Sequence, residues 1–529
     1  MSGRGAWRSD AWWPTNPSDW VTMGARRSPA AACLVGADGA VLTYREVSGR
    51  VARLAGALAA HGLSNGDRIA AIATDSVEYF QVMLAAMRIG ATIVPMNVRL
   101  TGPEIEQILR LTVPTAFLAD RRYQAFVTIA RATSRTTLKL IAGVDQPLAD
   151  APGIGQLIDA SPDVVTTSRC GDEDILAIGL SSGTTGTPKA VLQSQRMLKA
   201  IVTNNVIETS LSPRDRLYSG APLFHIAGLG NALCGLARGA ASVLLPQFDA
   251  DAVLRRMRSG EVSFCVLMPT MISELLAHPD ARGSSYPGLR GIMYGGAAMP
   301  VAQLRELADT FGCDLYNGFG AGTEAGGQAM LLPDDHRRGL AGEERLLGSI
   351  GRPMYGVDLR ICDPSGREVT DGEIGEIVSR SDAVMSGYLG APELSLQRLV
   401  DGWFRGGDLA WRDGEGYLFL AGRADDMFIR GGENIFPAEI ELVLAEHPAV
   451  AEVAVTGAPD PRWGAIVAAH VVVRPGCELG LDDLRAFGRG RLASYKLPEL
   501  LHLADALPRN VTGKVLRRRL TRGTDESGA

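Results

Sequence analysis

The densest chemistry in the chain lies in ten residues, Leu180-Ser181-Ser182-Gly183-Thr184-Thr185-Gly186-Thr187-Pro188-Lys189, which follow the buried-strand pattern Ile175 to Leu180. Five hydroxyls, two glycines and a lysine can wrap a polyphosphate with side-chain donors, exposed backbone amides and an ammonium. The segment is not a Walker loop, which joins Gly-Lys-Ser/Thr after four intervening residues. Here Pro188 separates Thr187 from Lys189, and Ala190 follows. The lysine is informative because basic charge is carried by 48 arginines and only five lysines, so chance puts a lysine at a given position about once in a hundred. A second lysine, Lys514, ends the run Leu507-Pro508-Arg509-Asn510-Val511-Thr512-Gly513-Lys514.

With motifs in the same order from about Trp20 to Leu520, the chain resembles the adenylate-forming superfamily of AMP-binding enzymes, in its acyl- and aryl-CoA synthetase branch. The resemblance implies a phosphate-binding role for Ser181, Ser182, Gly183, Thr184, Thr185, Gly186, Thr187 and Lys189, with Thr184 also catalytic. In Ala221-Pro222-Leu223-Phe224-His225, it places His225 at the border of the acyl pocket, with Tyr294 and Phe319 as further walls. Gly295, Gly296 and Ala297 resemble the strand end beside adenine and the acyl group, where glycine lets backbone approach a flat ligand. In Phe319-Gly320-Ala321-Gly322-Thr323-Glu324, the resemblance gives Phe319 the adenine, Thr323 the α-phosphate and Glu324 the Mg²⁺ that bridges phosphates. One residue more than the usual spacing separates Gly320 from Thr323.

Asp408, in Gly402-Trp403-Phe404-Arg405-Gly406-Gly407-Asp408, is similar to the family's ribose-binding aspartate. An ionised carboxylate only accepts, so it can take both hydroxyls of a cis-diol. Gly406 stands where many relatives carry Thr. Arg423 is implied to contact nucleotide, Asp425 to be the hinge, and Gly431 and Gly432 to lie along the pantetheine passage. Trp463, Tyr495 and Lys496 match positions that meet CoA in some relatives, and the two aromatic rings suit packing equally well. Lys514 is implied to be the adenylation lysine, whose ammonium offsets repulsion between a carboxylate and a triphosphate.

Elements to position these groups are visible along the chain. Tyr44 to His61 has helical apolar spacing and ends at Gly62, whereas Arg68 to Ala73 and Ala91 to Met96 suit buried strands. The alternation recurs from Asp174 to Leu315, with strands at Ser242 to Leu245 and Phe264 to Met268, and predicts doubly wound α/β subdomains. Gly348 to Leu420 reads as a small β-rich, barrel-like subdomain. After Ala421, helices at Pro437 to His447 and Leu481 to Leu492 and strands at Val450 to Thr456 and Ala465 to Val473 predict a small α+β domain. The expected division is a large AMP-binding domain over 1–421, a mobile small domain over 422–521 and a disordered tail over 522–529.

The 529 residues suffice for this, and 53 basic against 59 acidic side chains, net −6, argue against a nucleic-acid partner. Seven scattered cysteines, no two closer than 31 residues, suggest neither a disulfide framework nor a CxxC clamp. A soluble cytoplasmic protein without a membrane span is expected. Trp7, Trp12, Trp13 and Trp20 cluster near the start, and folding back onto the large domain is the expectation for them. The resemblance implies ATP, Mg²⁺ and CoA as cofactors and co-substrates and a small carboxylic acid as substrate. It leaves fatty, branched and aryl acids open, and a homodimer too. The alternative acceptor is a carrier protein or a nitrogen nucleophile, and since fewer than twenty residues follow Lys514, a carrier would be a separate chain.

Overall fold

A computed structural model describes residues 16–162, 170–181, 189–509 and 515–522. The chain forms two compact units: Met1–Phe248 with Gly322–Glu324 and Asp382–Pro392, and Asp249–Ala321 with Ala325–Ser381 and Glu393–Ala529.

The first unit contains a seven-stranded sheet in the order Gly387–Tyr388, Lys189–Ser194, Ile175–Ser181, Thr92–Pro95, Arg68–Ile72, Ala116–Ala119, Leu140–Gly143. The five strands from Ile175–Ser181 onward are parallel, and their near-continuous apolar runs are what burial on both faces demands. Ile72, Val94, Met96, Phe117 and Ile178 are buried in one cluster with Ile105, Ile108 and Leu109 of the crossover helix Gly102–Thr112. Each such side chain stabilises the fold by roughly 1.5–3 kcal/mol. The helix Tyr44–Ala60 begins where Thr43 and Glu46 form a reciprocal capping box. It stops before Gly62, whose φ of 78° L side chains rarely adopt. Tyr44 is fully buried, and its hydroxyl donates to the Ala240 carbonyl at 2.7 Å. The helix Pro17–Arg27, which carries Trp20, packs on the helices Tyr44–Ala60, Val77–Arg88 and Ile226–Arg238. Trp7, Trp12 and Trp13 lie outside the described residues.

In the second unit the strands Phe264–Leu267, Gly291–Gly295 and Asp314–Gly322 run parallel in that order, and Gly326–Leu331 follows beside them. A smaller antiparallel sheet joins Asp358–Cys362, Gly375–Arg380, Trp403–Arg412 and Leu399–Val400, with Leu418–Arg423 also on Trp403–Arg412. This is the β-rich subdomain expected from Gly348 to Leu420.

The C-terminal domain is small and has its own core. Val455, Val467, Ala469 and Val471 of the strands Val450–Asp460 and Gly464–Val473 pack on Ile440 and Leu444 of the helix Pro437–Leu444 and on Leu484. The helix expected over Leu481 to Leu492 ends at Gly488. A Cβ at Gly488 would stand 2.8 Å from Leu497 Cδ2, so glycine permits a close approach there, and Gly490 turns the chain at φ 78°. The protein is thus mixed α/β, with a large N-terminal and a small C-terminal domain.

Candidate active site

In the first unit, the antiparallel pairing of Ile175–Ser181 with Lys189–Ser194 sets Ser181 opposite Lys189. Ser182, Gly183, Thr184, Thr185, Gly186 and Thr187 lie outside the described residues. Ser181 Oγ donates to Glu324 Oε1 at 3.1 Å, joining residues 143 positions apart. Glu324 is held through its backbone as well, because the Met385 amide donates to its carbonyl at 2.8 Å. Gln193 Nε2 donates to the Thr323 carbonyl at 3.0 Å. Gly179 makes room for this turn, since a Cβ there would stand 2.5 Å from Thr323 Cγ2. Lys189 Nζ lies 5.6 Å from the centre of the Tyr388 ring, within cation–π range. The strand Ile175–Ser181, Thr323 and Glu324 are therefore assembled together.

His225 caps the helix Ile226–Arg238, its Nδ1 accepting the Ala227 amide at 3.2 Å. That bond leaves Nε2 with the proton. Burial pushes the pKa of His225 down to about 4, so the ring is neutral near pH 7. The segment before it is fixed by Asp75, whose two oxygens accept the Leu223 amide at 3.0 and 3.1 Å. Burial raises the Asp75 pKa to about 7, against the lowering effect of that amide. Gly228 is required beside this segment, because a Cβ would stand 2.2 Å from the Pro222 carbonyl oxygen.

In the second unit, Gly295 pairs with Gly318 across neighbouring strands. A Cβ on Gly295 would approach the Gly318 oxygen to 2.3 Å, and Gly296 takes φ 83°. This is backbone packing that a side chain would break. Ala297 follows in the same turn and is exposed. Tyr294 is buried, and its hydroxyl lies 2.9 Å from His336 Nε2. His336 Nδ1 lies 2.9 Å from the Leu332 carbonyl, which can only accept; the proton is on Nδ1, and Tyr294 donates to Nε2. Phe319 is partly buried against Ala329, Ile350 and Ile377.

Asp408 and Arg423 face each other across paired strands, with Arg423 Nη1 3.2 Å from Asp408 Oδ1 and Nη2 2.9 Å from the Gly406 carbonyl. At Gly406 a Cβ would stand 3.5 Å from Asp408 Oδ2, an ordinary contact distance. Glu376 supports the turn by accepting the Gly407 amide at 3.1 Å. Asp425 is exposed, one residue before Asp426, which pairs with Arg517 at 3.1 Å.

Gly431 takes φ 58° and donates its amide to the Trp463 carbonyl at 2.8 Å. Gly432 takes φ 93° with open space around its Cα. The Trp463 ring, 37% exposed, has the Arg430 and Arg462 guanidinium carbons 5.1 and 4.7 Å from its centre. Tyr495 packs against the small-domain core, and Lys496 Nζ reaches both Glu439 oxygens at 2.6 Å. Lys514 lies outside the described residues.

Glu324 is suited to a hard cation, an oxygen ligand beside the Ser181 hydroxyl. No group of three or more His, Cys, Asp or Glu side chains forms a cage among the described residues. A cation shared between one carboxylate and substrate phosphates needs no such cage. Asp75, His336 and Glu376 escaped sequence reasoning. Asp75 follows the apolar strand Arg68–Ile72 at its C-terminal end, which is the one available signal.

A family model described as AMP-binding enzyme matches residues 21–389, and one described as AMP-binding enzyme C-terminal domain matches 439–514. Feruloyl-CoA synthase of an Amycolatopsis species is 36% identical over 499 residues, 94% of this chain and 97% of that protein. Indoleacetate–CoA ligase of Aromatoleum aromaticum is 36% identical over 505 residues, 94% and 96% of the two chains. The crystal structure of ATP-bound MatB from Rhodopseudomonas palustris is 28% identical, with a TM-score of 0.87 over 96% of this chain and all of that one. The chain belongs to the AMP-binding enzyme family. Within that family it is an acid–CoA ligase, an AMP-forming acyl-CoA synthetase for which ATP and CoA are substrates.

Proposed function

We propose that the chain activates an aromatic carboxylic acid on ATP and passes the acyl group to the thiol of CoA, each site residue taking its own part in the two steps. The observation that carries the assignment is the Ser181–Glu324 hydrogen bond. It ties a carboxylate to the first hydroxyl of a Ser/Thr/Gly segment that the sequence separates by 143 residues. An aryl acid is favoured because feruloyl-CoA synthase and indoleacetate–CoA ligase, each 36% identical, are named for aryl acids.

In the first step a carboxylate oxygen of the acid bonds to the α-phosphorus, the bond from that phosphorus to the bridging oxygen breaks, and pyrophosphate leaves. Two unit charges 4 Å apart repel by about 4 kcal/mol at an effective dielectric of 20. The Lys514 ammonium offsets that repulsion, and the segment from Ser181 to Lys189, with Thr184 and Thr323, holds the phosphates. Glu324 would hold Mg²⁺, which when bound neutralises phosphate charge. Asp408 accepts the ribose hydroxyls, and Arg423, already held on Asp408, is the adjacent nucleotide contact. Gly295, Gly296, Ala297 and Phe319 receive adenine. His225, neutral and with Nδ1 occupied, orients the acid rather than exchanging protons.

In the second step the CoA sulfur bonds to the acyl carbon, the bond from that carbon to the phosphate oxygen breaks, and AMP leaves. The thiol proton passes to solvent. Gly431 and Gly432 give the pantetheine arm a passage, and Trp463, Tyr495 and Lys496 meet the nucleotide end of CoA. The domains divide at 421/422, and Asp425 is the pivot between the two steps. We place the reaction in the cytoplasm. Among the described residues no helix is long and apolar enough to cross a membrane. The test is pyrophosphate release with matched panels of aryl and straight-chain acids. Aryl acids should give the highest kcat/KM, and fatty acids outranking them would overturn the substrate class.

A further inference from the structure

The described residues just before and after Lys514 in the chain make contacts that none of the assigned roles uses. Arg509 and Val515 form an isolated antiparallel bridge, and the Leu516 amide donates to the Pro508 carbonyl at 2.7 Å. On one side of this bridge, Arg509 Nη2 lies 2.8 Å from Glu452 Oε2, a half-exposed contact of the kind that contributes little. On the other side stands Arg517, the first residue of the helix Arg517–Arg522, which packs against the strand Val450–Asp460.

The Arg517 guanidinium is largely buried and joins two separate parts of the small domain. Its Nη1 reaches Asp426 Oδ2 at 3.1 Å, and its Nη2 reaches both Glu441 oxygens at 2.7 and 2.6 Å. Glu441 is fixed in turn, since one of its oxygens accepts the Val455 amide at 2.7 Å. Burial alone would lower the Arg517 pKa, but the Glu441 and Asp426 carboxylates hold it above its ordinary value. A planar fork is the group that can engage two carboxylates in fixed directions at once, which a single ammonium cannot do. Asp426 directly follows Asp425, and Arg517 stands three residues beyond Lys514. The clamp therefore connects Arg517, three residues beyond Lys514, to the residue next to the pivot.

We propose that Arg517, through Asp426 and Glu441, is a positioning residue for adenylation that anchors the chain three residues beyond Lys514 beside the pivot. It rests on the proposed roles of Lys514 and Asp425. Charge placement at a transferring phosphoryl group tolerates little error, and a displacement of about 1 Å costs about 10²-fold in rate. Thioester formation does not use Lys514 and so does not need this anchor.

The test measures the half-reactions separately: pyrophosphate release in a single turnover with ATP and acid, and acyl-CoA formation from supplied acyl adenylate and CoA. Arg517→Met should slow the first about 10²-fold and leave the second within about threefold, with Arg517→Lys restoring part of the loss. Asp426→Asn removes one partner of the clamp and should give a weaker version of the same split. It also keeps the test standing if Arg517→Met fails to fold. The double variant should be no worse than Arg517→Met, the signature of two residues acting as one unit. Equal loss in both half-reactions, accompanied by a lowered melting temperature, would make Arg517 a stability residue and overturn the proposal; unchanged adenylation would also overturn it. Lys514→Ala run in parallel separates the two levels. If that variant adenylates normally, the assignment of Lys514 has failed, whatever Arg517 does.

Discussion

Replacing Asp75 by Asn should remove a pH dependence of stability from the first unit. Asp75 is 9% exposed and accepts the Leu223 amide with both oxygens. It lines a cavity of about 10 Å³ with Ser219, Asn231 and Ser242, room for roughly one water and polar enough to receive an amide. Burial raises its pKa from 3.8 to about 7, and the same charge helps to push the buried Tyr79 hydroxyl upward. An acid with a raised folded pKa holds its proton more tightly when folded. Stability is then full below the unfolded pKa, falls as pH rises from about 4 to about 7, and is constant above. At 1.36 kcal/mol per pKa unit, the loss between pH 5 and pH 8 is about 2.5 kcal/mol. Asn keeps an acceptor for Leu223 and has no proton to lose. One kcal/mol shifts Tm by roughly 2–4 °C for a unit of 150–250 residues, so the Tm of Asp75→Asn should gain roughly 5–10 °C on the wild type between pH 5 and pH 8. Thermal melts of both proteins across that range at constant ionic strength measure this. Parallel profiles would refute the reasoning by showing that Asp75 does not titrate between its folded and unfolded values.

Three further outcomes follow from the site. Gly431→Ala puts a Cβ 2.8 Å from Trp463 Cε3 at φ 58°, a conformation costing a non-glycine residue about 1–2 kcal/mol. It should slow acyl-CoA formation about tenfold while pyrophosphate release is unchanged in single-turnover assays. Asp408→Asn replaces a charged acceptor and should raise the KM for ATP by roughly 10- to 100-fold in steady-state assays. With its pKa near 4, His225 should impose no inflection on the adenylation rate between pH 6 and 8, and His225→Gln should alter acid preference while leaving the pH profile superimposable.

Local signals in the sequence located the elements because local interactions make them. Thr43, Glu46 and Gly62 bracket a helix within one stretch of chain, and the apolar runs at Arg68 and Ala91 are buried strands, as their composition demands. The structure adds how the motif residues Ser181, Glu324, Asp408 and Arg423 are held, in pairs formed across 143 and 15 positions. What stayed hidden depends on distant partners. Asp75 finds the Leu223 amide 148 residues away, Tyr294 finds His336 across 42, and Arg517 finds Asp426 across 91. No period or spacing encodes such meetings, because the sheet and small-domain topologies bring them about. Phe319 shows the same limit within a motif, since its ring packs on a core built from Ala329 to Leu418.

The most direct test of the central claim is mass spectrometry of the purified protein with Mg-ATP and a mixed pool of carboxylic acids, with and without CoA. The account predicts that an aryl acid is converted to its acyl-CoA, with AMP and pyrophosphate formed, only when CoA is present. An acyl adenylate that accumulates and that CoA leaves untouched would contradict it, and the acceptor would then be a carrier protein or a nitrogen nucleophile.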